Sequence, residues 1–317
     1  MKIALFAPYF PAPAFSGGRI RIQHFARALA RRGEVHLFAQ AHAREAGDAR
    51  ARAEAALYAS VRVVHAGFTP PLFVNWGRAQ RVRRGSPAQL SAAFARAHAH
   101  EPFDVIAVAH SHAAAAAFQS GVPWLLDEHN VESRYLAAKL QAGGGELRWW
   151  HQRELARMRG WERACWRAAT EVVAVTEDDA KQISELRTTP AVHVPNGVDV
   201  SALAFTPPAA RSGANILFVG LMDHPPNVQA AQLLAHEIMP RVWAGRPDAR
   251  LVLCGANPAR VVSALAGPRI TVTGRVPTLA PHLAEARVFA NCLVFGAGSS
   301  LKVLEALAAG VPLVSTR

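Results

Sequence analysis

Apolar residues in this chain gather in short unbroken runs. They occupy Lys2–Ala7, Glu34–Gln40, Val61–Ala66, Asp104–His112, Val122–Glu132, Glu171–Thr176 and Ala191–Val200. Runs of this length, bounded by Gly, Pro and polar residues, predict strands buried on both faces, as in a parallel sheet covered by helices. Between them the period lengthens. Ile22, Phe25, Ala26 and Leu29 share one face of a helix over 18–32, residues 41–59 read as helix, and Tyr135–Ala169 is helical with a break at Gly143-Gly144-Gly145. Residues 201–213, rich in Pro, Ala and Ser, predict a linker. The alternation then restarts, with strands over Asn215–Gly220, Ala249–Gly255, Arg269–Val276 and Ala286–Val294, and helices over Asn227–Trp243, Pro258–Leu265 and Thr278–Ala284. The expectation is an α/β chain of two doubly wound domains, 1–200 and 214–317, facing each other across a cleft.

The stretch Phe295–Thr316, FGAGSSLKVLEALAAGVPLVST, predicts a glycine-bearing loop, a short helix and a buried strand. Gly296 and Gly298 allow close backbone approach to a ligand. Ser299 and Ser300 are N-cap candidates, so free helix amides would point at the loop and suit a phosphate. Lys302 in the first turn and Glu305 three residues on share one helix face. An anion seat, a cation and a carboxylate one turn deeper suit a nucleoside diphosphate carrying a sugar. Ser16-Gly17-Gly18 follows the first strand, where parallel sheets bind ligands, without spelling GxGxxG. His110 and His112 end one predicted strand, and Asp127, Glu128, His129, Asn130 and Glu132 end the next. A histidine at such an edge can steer a substrate or move a proton.

With 317 residues, half of them hydrophobic, the chain can build two cores. Its three cysteines, Cys165, Cys254 and Cys292, have neither disulfide nor metal-ligand spacing and suit a reducing, cytoplasmic setting. The N-terminal apolar run is short and interrupted by Pro8, Pro11 and Pro13, which argues against a signal peptide, and no run is long enough to span a membrane. The formal charge is +12. Between Ala55 and His100, Arg62, Arg78, Arg81, Arg83, Arg84 and Arg96 meet no acid, and Phe68, Leu72, Phe73 and Trp76 lie among them. That mixture predicts peripheral contact with an anionic membrane at its inner face, or a loop packed on its own domain. No recognition motif accompanies the arginines, so nucleic acid is not expected as a partner.

Taken in order, SGG at 16–18, AHSH at 109–112, DEHNVE at 127–132, VPNGVD at 194–199, FVGLMDHPPN at 218–227, VTGRV at 272–276 and the glycine-loop segment at 296–316 resemble glycosyltransferase family 4. The resemblance covers essentially the whole chain and implies the GT-B fold, two Rossmann-like domains. It further implies retaining transfer from a nucleotide diphosphate sugar to a glycan or lipid-linked acceptor in cell-surface polysaccharide synthesis. By that resemblance Gly220 and Gly255 bound the donor cleft, Lys302 holds the diphosphate and Glu305 the ribose. Gly17 and Gly18 approach the donor phosphate and acceptor, His110 lies near the transferred sugar, and His112, Asn130 and Glu132 stand on the acceptor side.

No metal or other cofactor is expected, and there is no Asp-x-Asp motif. Three departures stand out. Ala297 occupies the position of the family's first glutamate, and LMDHPPN lacks the family's basic pair. Family members also continue beyond the last strand here, so the C-terminal domain is expected to be incomplete. Ala297 leaves a second reading, a nucleotide-sugar-binding module without turnover.

Overall fold

The computed structural model describes residues 1–14, 16–41, 56–65, 78–142, 148–294 and 299–316. Contacts divide the chain into two units, one chiefly Met1–Asn196, the other chiefly Gly197–Gly296 with Ser300–Arg317.

In the first unit the apolar runs become strands β1 (Lys2–Ala7), β2 (Glu34–Ala41), β3 (Ser60–His65), β4 (Val105–Ala109), β5 (Trp124–Glu128), β6 (Glu171–Ala174) and β7 (Val192–His193). All pair in parallel, in the order β3-β2-β1-β4-β5-β6-β7. Side chains alternate between two cores: Ile3, Leu5 and Ala7 enter one with Ile22 and Leu37, while Ala4 and Phe6 enter the other with Phe38, Phe94, Ile106 and Trp166. Helices α1 (Gly17–Ala30), α2 (Gln80–Gly85), α3 (Ala88–His100), α4 (Glu132–Ala142), α5 (Trp149–Ala168) and α6 (Glu177–Ser184) connect and cover the strands. Thr176 caps α6 by accepting a hydrogen bond from the Asp179 amide at 3.1 Å.

The strand order matters for function. The chain leaves β1 toward β2 and β3, then returns to add β4 on the other side of β1. The loops after β1 and β4 therefore diverge at the sheet's switch point, where doubly wound sheets open a crevice.

The second unit repeats the plan. Strands β8 (Asn215–Val219), β9 (Arg250–Cys254), β10 (Ile270–Gly274), β11 (Ala286–Asn291) and β12 (Leu313–Ser315) form a parallel sheet in the order β10-β9-β8-β11-β12. Its switch point lies between β8 and β11. Helix α7 (Pro225–Leu233) follows β8, and α8 (Leu301–Ala308) lies between β11 and β12.

Several boundaries differ from the sequence expectation. The strand expected to reach His112 ends at Ala109, because His110 takes φ 69° and Ser111–Ala113 coil into a 3-10 turn. The strand expected over 191–200 shrinks to Val192–His193 at the sheet edge. The helix expected from Asn227 begins at Pro225, since proline is well suited to a first helical turn. Residues 201–213 pack on the second unit. Arg211 is buried there and donates to the carbonyls of Leu283 and Ala286 at 2.7 Å and of Gly310 at 3.1 Å. Among the described residues no helix is long and apolar enough to cross a membrane. Most of the helix expected over 41–59 and the aromatic–basic stretch with Phe68, Leu72, Phe73 and Trp76 lie outside the described residues.

Candidate functional site

At the switch point of the first sheet, buried polar groups accumulate where a hydrophobic core would otherwise continue. His110, His112, Asp127, Glu128, His129 and Glu132 are all buried. Their carboxylates are held by partners, as burial of charge demands. Arg21, from α1, grips Asp127 with contacts of 2.6–3.0 Å and reaches Asn196 Oδ1 at 3.0 Å. His129 Nε2 meets the other face of Asp127 at 3.1 Å. Burial works against ionised Asp127, but His129 and Arg21 prevail and hold its carboxyl below the usual range. Arg81, from α2, meets Glu132 at 2.9 and 3.1 Å, and Asn130 Nδ2 donates to Glu132 Oε1 at 3.1 Å.

The three imidazoles stand together, with ring centroids 4.0 Å apart for His110 and His129 and 4.8 Å for His110 and His112. The tight turn at Ser111 is what brings His112 beside His110. Burial, then neighbouring histidines and Arg81, push the His110 pKa well below its ordinary value; burial and Arg81 do the same to His112. Both rings are neutral at pH 7. The Nδ1 atoms of His110, His112 and His129 have no hydrogen-bond partner among the described residues. Tyr9 Oη lies 3.5 Å from His110 Nε2, and burial pushes its phenol up to about 12. A Cβ on Gly18 would overlap the Tyr9 hydroxyl, which is why glycine stands there; Gly17 is exposed at the start of α1.

The strained His110 backbone is held from below. Glu128 accepts from the Ser111 amide and hydroxyl, each at 3.2 Å, and from Trp166 Nε1 at 3.1 Å. Trp161 Nε1 donates to the Ser111 carbonyl at 2.8 Å. Burial, and then Glu162, raise the Glu128 pKa well above its ordinary value.

His110, His112 and Glu132 also bring one ligand atom each within 4.8 Å of the others, a donor set that could hold a metal ion. Both Glu132 oxygens already accept from Arg81, which a cation would have to displace.

The second unit's site is simpler. Lys302, in the first turn of α8, is buried enough that its ammonium pKa falls to about 8. Its Nζ donates to Asn227 Oδ1 at 3.0 Å and sits 4.6 Å from the centre of the Phe218 ring, a cation–π contact. Among the described residues no carboxylate pairs with it. Glu305 is half-buried, and burial raises its carboxyl pKa. Ser300 takes the N-cap position of α8 without a side-chain cap bond, and Ser299 is exposed. Gly255, at φ 155°, has no room for a Cβ, which would overlap the Gly220 carbonyl. A Cβ on Gly220 would sit 2.7 Å from the Asn227 amide. Gly296 and Gly298, and Ala297 between them, lie outside the described residues.

In the sequence alone His129 stands out only as one of the polar groups ending a strand, and Tyr9, Arg21, Arg81, Phe218 and Asn227 do not stand out as site residues. Arg81 counted only toward a basic stretch. The available signal was the acids: buried Asp127 and Glu132 need cations, and the arginines of the preceding helices were the ones to supply them.

The model for "Glycosyltransferase Family 4" matches residues 15–202, and that for "Glycosyl transferases group 1" matches 213–317. A phosphatidyl-myo-inositol mannosyltransferase of Mycobacterium leprae is 27% identical over 180 residues, covering 54% of this chain and 43% of the relative. Its counterpart from Mycolicibacterium smegmatis is 30% identical over 134 residues, 40% of this chain and 34% of the relative. The matched region thus spans less than half the length of these curated relatives.

Among solved structures, the sucrose-phosphate synthase of Thermosynechococcus elongatus superposes with a TM-score of 0.69, at 18% identity, over 99% of this chain and 81% of that one. Anabaena HepE, solved in complex with UDP-glucose, superposes with a TM-score of 0.65, at 16% identity, over 99% of this chain and 80% of that one. At those identities the likeness concerns the fold, and it is the two-sheet α/β architecture expected of GT-B proteins. Because its first 15–202 residues match one family model over more than half of the chain, the protein belongs to Glycosyltransferase Family 4.

Proposed function

We propose that this protein transfers a sugar, with retention of configuration, from a nucleoside diphosphate sugar to a glycan or lipid-linked acceptor in cell-surface polysaccharide synthesis. The observation that carries the reading is Lys302: a desolvated ammonium with no carboxylate beside it among the described residues, at the start of a helix by the second sheet's switch point. A buried cation left without an anion calls for one from a ligand. HepE's complex with UDP-glucose and the mannosyltransferase names of the relatives support a sugar nucleotide as donor and a lipid-linked acceptor.

In this reading residues 214–317 bind the donor and 1–200 the acceptor, with 201–213 as the linker. Lys302, with the loop at Gly296, Gly298, Ser299 and Ser300, stabilises charge growing on the departing diphosphate. Glu305 takes the ribose hydroxyls, and Gly220 and Gly255 shape the floor beneath. The bond from the sugar's anomeric carbon to the diphosphate breaks as the bond to the acceptor oxygen forms, and the acceptor's proton ends on the leaving diphosphate. His110 orients the transferred sugar, Gly17 and Gly18 let donor and acceptor approach, and His112, Asn130 and Glu132 receive the acceptor. The reaction calls for no metal ion or other cofactor, because cation and helix amides carry the leaving-group charge. The arginine-rich face is proposed to rest on the inner, cytoplasmic face of an anionic membrane, near a lipid-linked acceptor.

Ala297 favours a second reading, nucleotide-sugar binding without transfer. Thermal-shift screening of UDP- and GDP-sugars, followed by assay of nucleoside diphosphate release with an acceptor extract, decides between them. Binding with acceptor-dependent release is expected. Binding without release supports the second reading, and no binding removes both.

A further inference from the structure

Lys302 does not hold its own position. A lysine side chain has four rotatable bonds and three donor hydrogens, so a buried ammonium with one diffuse contact could point several ways. Among the described residues its one directional partner is Asn227, whose Oδ1 accepts from Nζ at 3.0 Å. Asn227 is itself fixed: it is buried, and its Nδ2 donates to the Leu221 carbonyl at 2.9 Å, so which end of the amide faces the lysine is determined. Gly220 leaves room for it, since a Cβ there would press on the amide at 2.7 Å. The family's basic pair is missing from this same segment, which leaves LMDHPPN with no lysine or arginine.

We propose that Asn227 is the positioning residue that aims the Lys302 ammonium at the donor's diphosphate, fixing its direction while leaving its charge uncompensated. The chemistry explains why an amide serves and a carboxylate would not. The amide oxygen takes one of the ammonium's three N–H donors and carries no net charge, so the ammonium keeps two donors and its full charge for the ligand. A carboxylate would form a buried ion pair and repel the incoming anion. This inference rests on the donor-site reading of Lys302.

The test uses inorganic pyrophosphate, the chemistry common to all such donors, titrated calorimetrically at pH 7 into wild type, Lys302→Ala, Asn227→Ala and Asn227→Asp. Wild type is expected to bind and Lys302→Ala to lose most affinity. Asn227→Ala is expected to weaken binding about threefold and Asn227→Asp at least ~10-fold, because a fixed negative charge within a few ångströms of the anion opposes it. A packing defect alone would weaken both Asn227 variants alike, so equal losses, or none, overturn the assignment. Should Asn227→Asp not fold, Asn227→Ser, which keeps a neutral acceptor oxygen, must bind better than Asn227→Ala; equality overturns the assignment too. Wild type that binds neither pyrophosphate nor any sugar nucleotide instead defeats the donor-site reading itself.

Discussion

The two switch-point sites solve opposite problems. In the first unit every buried carboxylate at the site has a cationic or hydrogen-bonding partner: Arg21 for Asp127, Arg81 for Glu132, Ser111 and Trp166 for Glu128. What remains open is three imidazole Nδ1 atoms, of His110, His112 and His129, without a hydrogen-bond partner among the described residues. In the second unit a single ammonium is left without a counter-charge among the described residues. One site is finished electrostatically and can offer direction to hydroxyl groups; the other is unfinished and needs an anion. The function proposed above therefore gives charges in the first unit a role mainly in stability and the charge in the second a role mainly in binding.

The hardest test of that division is to delete one cation from each. Arg21→Ala strands Asp127, almost fully buried, and is expected to cost about 3 kcal/mol of stability, read as a lower urea midpoint. Lys302→Ala is expected to leave the midpoint near wild type, since removing a desolvated cation relieves a penalty. It is expected to weaken UDP or GDP binding about 100-fold, or ~2.7 kcal/mol. A stability loss from Lys302→Ala as large as that from Arg21→Ala would erase the distinction.

The pH dependence of stability sharpens it, because the two units should respond with opposite signs. Burial raises Glu162, whose Oε1 accepts from the Ser133 amide behind Glu132, from 4.5 to about 7. The folded state therefore holds a proton that the unfolded chain releases. Glu162's favourable contribution is complete below about pH 4.5 and is lost as pH rises through about 7. Lys302 is lowered from 10.5 to about 8, so its penalty is full below pH 8 and vanishes as pH approaches 10.5. Glu162→Gln should thus raise stability at pH 8 by about 2 kcal/mol and change little at pH 4.5. Lys302→Met should do the reverse with pH, stabilising at pH 7 and not near pH 10.5. Calorimetric melts of both variants at the two ends of the range check the signs, and parallel profiles would refute them.

Much of this architecture could be read beforehand, for a physical reason. Strands such as Lys2–Ala7 are apolar on both faces, and only a parallel sheet between helices buries both. The chain order alone therefore places Ser16–Gly18 in the loop after the first strand and His110 at the end of another. His112 was less legible, because the left-handed backbone at His110 breaks the strand, and nothing local marks a turn that Glu128 and Trp161 hold from up to 50 residues away. Lys302 stood out because a glycine loop and a helix start flank it. Asn227 did not: its meaning comes from a contact across 75 residues, between the two helices at one end of the second sheet.

The smallest predicted effect probes that contact from the side. Gly220 directly follows β8, and its missing Cβ is the space into which the Asn227 amide fits. Gly220→Ala adds one methyl group 2.7 Å from Asn227 Cγ and Nδ2, closer than carbon or nitrogen atoms tolerate without a hydrogen bond. The strand end is pinned, since the Gly220 amide donates to the Cys254 carbonyl at 3.0 Å. The amide is therefore what moves, and Lys302 loses its aim with no change in charge. The expected cost is about 1 kcal/mol of stability, together with pyrophosphate binding weakened about threefold, as for Asn227→Ala. Adding Asn227→Ala to Gly220→Ala should weaken binding no further, because both act through one hydrogen bond. Fully multiplicative losses in that double mutant would show that Gly220 touches the donor by itself, and that the glycine and the asparagine are separate parts of the site.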